Sequence, residues 1–111
     1  MTSPANLFSD LPGHAEEEIF TTLLHRPGCR IERIVSYGQS SPEEFWYDQA
    51  WDEWVLLING SAELDVEGHM VKLVPGDHLL IPAGHRHRVI HTDQNQPTVW
   101  LAVHFDNEST S

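Results

Sequence analysis

The sequence predicts an all-β fold, a sandwich or barrel built from short strands. Two observations support this prediction: β-rich segments follow one another from Cys29 onward, and turn-forming residues separate them at short intervals. The expected strands cover residues 29–36, 51–58, 62–66, 70–73, 78–81, 86–91 and 98–105. A chain with so many short strands would use most of its length to close one core.

Turn signals lie between the expected strands. Asn59-Gly60 is the strongest hairpin signal, because such a pair readily adopts the left-handed backbone angles of a tight hairpin turn, and Glu67-Gly68 is a second. Pro75-Gly76-Asp77 and Pro82-Ala83-Gly84 predict two further turns.

Residues 15–25 are compatible with two structures. The acidic residues 16–18 would suit the first turn of a short helix, whereas residues 20–24 would form an edge strand, and periodicity does not decide between them. We therefore expect a single domain with an N-terminal arm and edge segment at residues 1–28, a barrel at 29–106 and a flexible tail at 107–111.

Composition narrows the classes of partner. The 111 residues are 40% hydrophobic, enough for one modest core, and their net charge of −11 argues against nucleic-acid backbones and anionic membranes. A small molecule is the expected partner. The single cysteine, Cys29, precludes an internal disulfide, and the N-terminus has neither a basic n-region nor an apolar h-region, so we expect a cytoplasmic protein.

Residues 76–87 contain four residues at set spacings: Gly76, Pro82, Gly84 and His87. They resemble the second motif of the cupin family, in which a Gly is followed after five residues by Pro-x-Gly and, after two more, by a His. The resemblance implies an all-β cupin-type double-stranded β-helix, or jelly-roll barrel, with a short N-terminal arm or helix. It also implies that the strand after the Pro-x-Gly turn places His87 in the barrel interior.

The first cupin motif is only partly matched. Glu53 and Gly60 have the spacing of its second half, but the His-x-His pair is replaced by Tyr47 and Gln49 or, with a longer gap, by Trp46 and Asp48. Strand alternation favours the first alignment, because Asp48 would need a bulge to reach the face of Glu53. Small single-domain cupins with a Phe-Trp-Tyr-Asp-Gln stretch, as at residues 45–49, resemble this chain most.

The resemblance implies a divalent transition metal, iron, manganese, nickel or zinc, with Glu53 and His87 as ligands. Imidazole and carboxylate suit such ions. Alternation along residues 86–91 places His85, His87 and His91 on one face. A third protein ligand would come from Gln49, His85, His91 or His104. Glu53 stands among apolar residues, where a lone carboxylate is costly unless it binds a metal, an Arg or a proton.

Three functions remain open at this point. The first is a metal-dependent enzyme acting on a small organic molecule, with Tyr47 or His85 as general acid or base. The second is a binding or sensing module for a small acidic or sugar-like ligand, with Arg86 and Arg88 making a positive mouth. The third is a structural module with a vestigial pocket. Strands such as residues 54–58, apolar on both faces, predict a homodimer.

Overall fold

The computed structural model describes residues 3–106, which form eight β-strands and no helix. No helix in this part of the chain is therefore long and apolar enough to span a membrane. The strands are β1 (Ile19–Arg26), β2 (Cys29–Ser36), β3 (Asp52–Asn59), β4 (Ala62–Val66), β5 (His69–Leu73), β6 (His78–Ile81), β7 (His87–Thr92) and β8 (Thr98–Phe105).

Two antiparallel sheets enclose the core. The larger sheet has the strand order β1-β2-β8-β3-β6 and the smaller one β5-β4-β7. Side chains from both sheets meet in one cluster of buried residues: Leu57, Ala62, Leu64, Leu73, Ile81 and Trp100. The arrangement confirms the all-β jelly-roll expectation, because strands that alternate inward and outward residues bury one face of each sheet against the other.

The expected strands lie within one residue of the observed ones at every boundary. Residues 15–25, which the sequence left open, contribute to the edge strand β1 and not to a helix. β1 pairs with β2 through a two-residue turn at Pro27-Gly28, where Gly28 has a φ of 78°. A Pro-Gly pair directly before a β-rich segment is the local signal that favours the strand. The expected tail at residues 107–111 lies outside the described residues.

The two strongest hairpin signals have different outcomes. Glu67-Gly68 does close a hairpin, between β4 and β5, with φ values of 50° and 87°. Asn59-Gly60 does not, because β3 belongs to the larger sheet and β4 to the smaller one. The hairpin prediction at Asn59-Gly60 is therefore wrong. This pair turns a corner between sheets, where the Asn59 side chain donates a hydrogen bond of 2.8 Å to the carbonyl oxygen of Pro97.

Candidate functional site

A cavity of about 210 Å³ opens between the two sheets. Its apolar lining comes from strands of both sheets: Phe20, Ile34, Val55, Leu64, Ile81, Val89 and Trp100. Its polar lining consists of Glu18, Arg30, Glu32, Tyr47, Gln49, Glu53, His87 and His104. An apolar pocket with a few convergent ionisable groups is the usual form of a small-molecule site.

Glu53 is the most unusual of these polar residues. Alternation along β3 buries Glu53 together with Val55 and Leu57, and only 7% of Glu53 is exposed. Within the described chain its carboxylate accepts no side-chain hydrogen bond, and its nearest charged partner is Nε2 of His87, 3.6 Å from Oε1. A buried carboxylate without hydrogen-bond donors is costly to the stability of the fold.

His87 has a defined orientation beside Glu53. Its Nδ1 lies 3.1 Å from the carbonyl oxygen of His85, which only accepts, so Nδ1 carries the proton and Nε2 faces the Glu53 carboxylate. Burial by itself lowers the pKa of His87. The interaction with Glu53, the His85 carbonyl and the Glu53 charge outweigh this effect and raise the pKa above its ordinary value.

The raised pKa of His87 makes stability depend on pH. Folding favours the protonated imidazole, so this contribution is fully present below the unfolded pKa of about 6.5 and is lost as the pH rises through the higher folded pKa. Glu53→Gln removes the partner charge, and we expect it to lower the pKa of His87 in an NMR titration. The control variant is Glu63→Gln on β4, outside the cavity, which should leave the titration of His87 unchanged. An unaltered His87 pKa would show that Glu53 does not act on this ring.

Tyr47 stacks on the His87 ring with a centroid distance of 5.3 Å. Two backbone hydrogen bonds, of 2.7 and 3.0 Å, join the two residues and hold the segment before β3 against β7. Burial and then the charges of Glu18, Glu53 and Glu32 raise the pKa of Tyr47. The phenol therefore stays protonated at neutral pH, and Tyr47 can donate a proton or a hydrogen bond.

His104 reaches the cavity, but both of its ring nitrogens have protein partners. The indole N–H of Trp51 donates to Nδ1 over 2.9 Å, and an indole nitrogen has no acceptor role. The remaining ring proton is therefore on Nε2, which donates to Oε1 of Glu32 over 2.9 Å. In this arrangement His104 has no free lone pair for a metal ion.

The other candidates divide between the cavity and the surface. Gln49 lines the cavity, whereas Asp48 is exposed, in keeping with the alignment that pairs Tyr47 with Gln49. The structure brings neither His85 nor His91 to the cavity, and both are exposed.

The physical reason for the position of His91 is a β-bulge. Val89 pairs with Leu64 but His91 pairs with Glu63, so one extra residue, Ile90, interrupts the alternation of β7. The expectation that His91 shares the face of His87 is wrong for this reason. His85 precedes β7, in the turn after Pro82, where strand alternation does not apply.

The positive mouth expected from Arg86 and Arg88 is also not found. Both guanidinium groups lie over the Trp46 ring, at 5.1 and 5.8 Å from its centroid. Arg88 also donates to the carbonyl oxygens of Ser41 and Pro42, at 3.1 Å each. Neither arginine lines the cavity.

The donor set does not fit a resident three-ligand metal centre. Among residues 3–106 no group of three His, Cys, Asp or Glu side chains is placed to hold one ion. Glu53 and His87 are close enough to share a ligand, but Gln49 is a weak neutral donor and His104 is engaged on both sides.

Three polar residues of the cavity were not anticipated: Glu18, Arg30 and Glu32. Arg30, Glu32 and Ile34 lie on one face of β2 and the intervening residues on the other, so their shared spacing was a usable signal. The sequence is compatible with Glu18 in the first turn of a short helix. Glu18 instead accepts a hydrogen bond from the hydroxyl of Ser36, which itself accepts one from the indole of Trp100.

Comparison with known proteins identifies a family and similar solved structures. Residues 33–104 match the cupin domain family. The crystal structure of a candidate mannose-6-phosphate isomerase from Ralstonia eutropha JMP134 is 52% identical, with a TM-score of 0.91 over 95% of this chain and 99% of that one. A cupin superfamily protein from Desulfitobacterium hafniense DCB-2 is 18% identical, with a TM-score of 0.78 over 96% of this chain and 94% of that one. This second likeness shows the fold alone.

Curated relatives are more distant. The 3-hydroxyanthranilate 3,4-dioxygenases of Rattus norvegicus and Mus musculus are 33% identical over 82 residues. This match covers 73% of the present chain but only 28% of the length of either dioxygenase.

Proposed function

The chain belongs to the cupin family, and from that premise we propose that its cavity moves a proton on a small organic molecule, with Glu53 and His87 as the acid–base pair. The observation that supports this proposal most is the carboxylate of Glu53, which is buried without a hydrogen bond from the described chain and faces His87 at 3.6 Å. Groups held in such costly surroundings are typical of sites that use their charge in chemistry.

Each residue of the pair has a distinct role in this proposal. Glu53 accepts a proton from a carbon next to a carbonyl group of the substrate, and the electron pair left behind moves onto the carbonyl oxygen. Tyr47, whose raised pKa keeps its proton on the phenol, donates a hydrogen bond to that oxygen. His87 in its protonated form, which the raised pKa favours, returns a proton from Nε2 to the substrate and is reprotonated by Glu53, so the reaction needs no external oxidant or reductant.

The name of one relative bears on the reaction class. The Ralstonia protein is named for an isomerisation, and an aldose-to-ketose isomerisation proceeds by the same kind of proton transfer. This supports an isomerase or a related proton-transfer enzyme over a purely structural module. The fold itself supports many chemistries, so the argument rests on the site.

A metal-dependent enzyme is the second candidate. His87 leaves its Nε2 lone pair beside the Glu53 carboxylate, and the curated relatives are dioxygenases. A metal at this position would have two protein ligands from the described chain and would be held weakly by comparison with a three-ligand site.

One experiment separates these candidates. The protein is incubated in D₂O with a panel of small aldoses, ketoses, 2-oxo acids and amino ketones, and NMR follows the loss of substrate C–H signals. We expect exchange with at least one compound, and the same rate after treatment with a chelator. Exchange that stops with chelator and returns with iron, manganese, nickel or zinc would favour the metal-dependent enzyme. No exchange across the panel would count against catalysis and favour a non-catalytic binding cupin.

The homodimer and the cytoplasmic location stay predictions. Large apolar side chains that are exposed on the described chain, among them Phe20, Leu23, Met70 and Leu80, support association with a second copy. The net charge of −11 continues to argue against nucleic-acid and anionic membrane partners.

A further inference from the structure

Negative charge predominates around the cavity. The carboxylates of Glu18, Glu32 and Glu53 all line it, against the guanidinium group of Arg30 and the two imidazole rings of His87 and His104, which face Glu53 and Glu32. The charges of all three carboxylates act on one phenol, that of Tyr47, so they converge on a common region of the site. A ligand that enters this region therefore meets a negative potential in surroundings of low dielectric constant.

The hydrogen bonds within the described chain leave part of this negative charge unpaired. Glu18 accepts from Ser36 with Oε2 only, and its Oε1 has no donor. Glu32 accepts from His104 with Oε1, while its Oε2 lies 3.9 Å from the Arg30 Nε. Glu53, with 7% exposure, has no hydrogen bond to its carboxylate. Carboxylate oxygens that line a cavity without a donor from the protein favour a ligand that supplies N–H or O–H groups.

The described arginines beyond Arg30 do not counter this charge from inside the cavity. Arg86 and Arg88 lie over Trp46, and Arg33 donates to the carbonyl oxygens of Leu7 and Ser9. An anionic ligand would find one guanidinium group, and that group already lies near Glu32. A phosphate group in this cavity would face repulsion from three carboxylates.

The rest of the lining suits an apolar body attached to the charged group. Phe20, Tyr47 and Trp100 supply aromatic surface, and aliphatic side chains from β3, β4 and β6 complete the wall. Aromatic faces attract a cation that lies over them. Carboxylates and aromatic faces in one small cavity are thus the complementary surroundings for an organic ammonium ion.

From these observations we infer that the substrate is a small organic cation, a protonated amine on a compact apolar body. The inference rests on the proposed function, because it assigns the substrate class of the same site. It departs from the phosphorylated sugar in the name of the Ralstonia relative. The physical reason is the excess of carboxylates over guanidinium groups in this cavity.

The test uses three probes of nearly equal size that differ in charge: benzylamine, benzyl alcohol and benzoate. Isothermal titration calorimetry on the full chain at pH 7 and low ionic strength measures the Kd of each. We expect benzylamine to bind about tenfold or more tightly than benzyl alcohol, and benzoate to bind most weakly. Benzylamine binding that is no tighter than that of benzyl alcohol, or absent, would overturn the inference, as would preference for benzoate.

A matched pair of variants tests whether benzylamine binds in the cavity. Glu18→Gln removes one cavity charge and is expected to weaken benzylamine about five- to tenfold, with little effect on benzyl alcohol. Glu17→Gln makes the same change at the exposed neighbouring position and should leave both affinities unchanged. Equal losses in the two variants would show that benzylamine responds to the overall charge of the protein and not to this cavity, and would overturn the inference.

The inference and the proposed function fail in different measurements. Tight benzylamine binding without deuterium exchange would uphold the substrate class and contradict catalysis. Exchange together with preferential benzoate binding would uphold proton transfer and contradict the organic cation.

Discussion

Glu53→Gln is expected to lower the rate of substrate deuterium exchange by about 10²- to 10⁴-fold, the usual contribution of a positioned general base. Glutamine has the same shape but cannot accept a proton at neutral pH. The carboxylate of Glu53 is the group that lies beside His87 in the cavity without a hydrogen bond from the described chain, so this substitution removes the base and leaves the walls in place. The measurement is the exchange rate with whichever panel compound the wild-type protein labels.

The control for this substitution is Glu63→Gln. Glu63 lies on β4, pairs with Lys72 and with the exposed His91, and does not line the cavity. Its exchange rate should equal that of the wild type. Thermal unfolding provides a second control, because we expect Glu53→Gln to retain the wild-type fold. An exchange rate that survives in folded Glu53→Gln protein would remove Glu53 from the mechanism.

Gly60→Ala is expected to lower the free energy of unfolding by about 3–5 kcal/mol, a loss well above that of most single substitutions. Gly60 has a φ of 88°, which an alanine adopts at a cost of about 1–2 kcal/mol. A Cβ atom there would also lie 2.7 Å from the Cα of Thr98 and 2.9 Å from the carbonyl oxygen of Pro97. These contacts are with backbone, so the corner between β3 and β4 must shift to relieve them.

Gly68→Ala separates the two contributions. Gly68 has a similar φ of 87°, but a Cβ atom there would meet nothing within 4 Å. We expect this variant to lose only the conformational cost of about 1–2 kcal/mol. Urea denaturation of both variants measures the difference, which corresponds to the steric clash at Gly60. Equal losses would mean that the corner relaxes freely around an added methyl group.

These two glycines also show how far local sequence predicts topology. Asn59-Gly60 and Glu67-Gly68 carry the same type of turn signal, and both glycines do adopt positive φ. Only Glu67-Gly68 joins strands that pair with each other. A turn signal reports the backbone angles that the local residues tolerate. Which strands pair with each other depends on packing between residues far apart in the chain.

The candidate site also depends partly on local sequence and partly on long-range packing. Tyr47, Gln49, Glu53, His87 and His104, all proposed from the sequence, line the cavity. Their contributions as ligands or catalysts stay predictions, to be tested by exchange and metal content. Alternation predicted the face of Gln49 on an extended segment, but it failed on β7, where the bulge at Ile90 turns His91 outward. Bulges arise from pairing with a partner strand, so one strand's sequence does not reveal them.

By itself the sequence determined the all-β class, the boundaries of β2 to β8 to within one residue, and the motif that places His87 at the start of β7. These features depend on alternation, turn residues and short-range spacing, which are local properties of the chain. Only the tertiary structure showed that His104 has both nitrogens engaged and that Glu18, Arg30 and Glu32 enter the cavity. Hydrogen bonds and electrostatic interactions act across space between strands distant in sequence, so the charge and donor set of the site depend on the packed sheets.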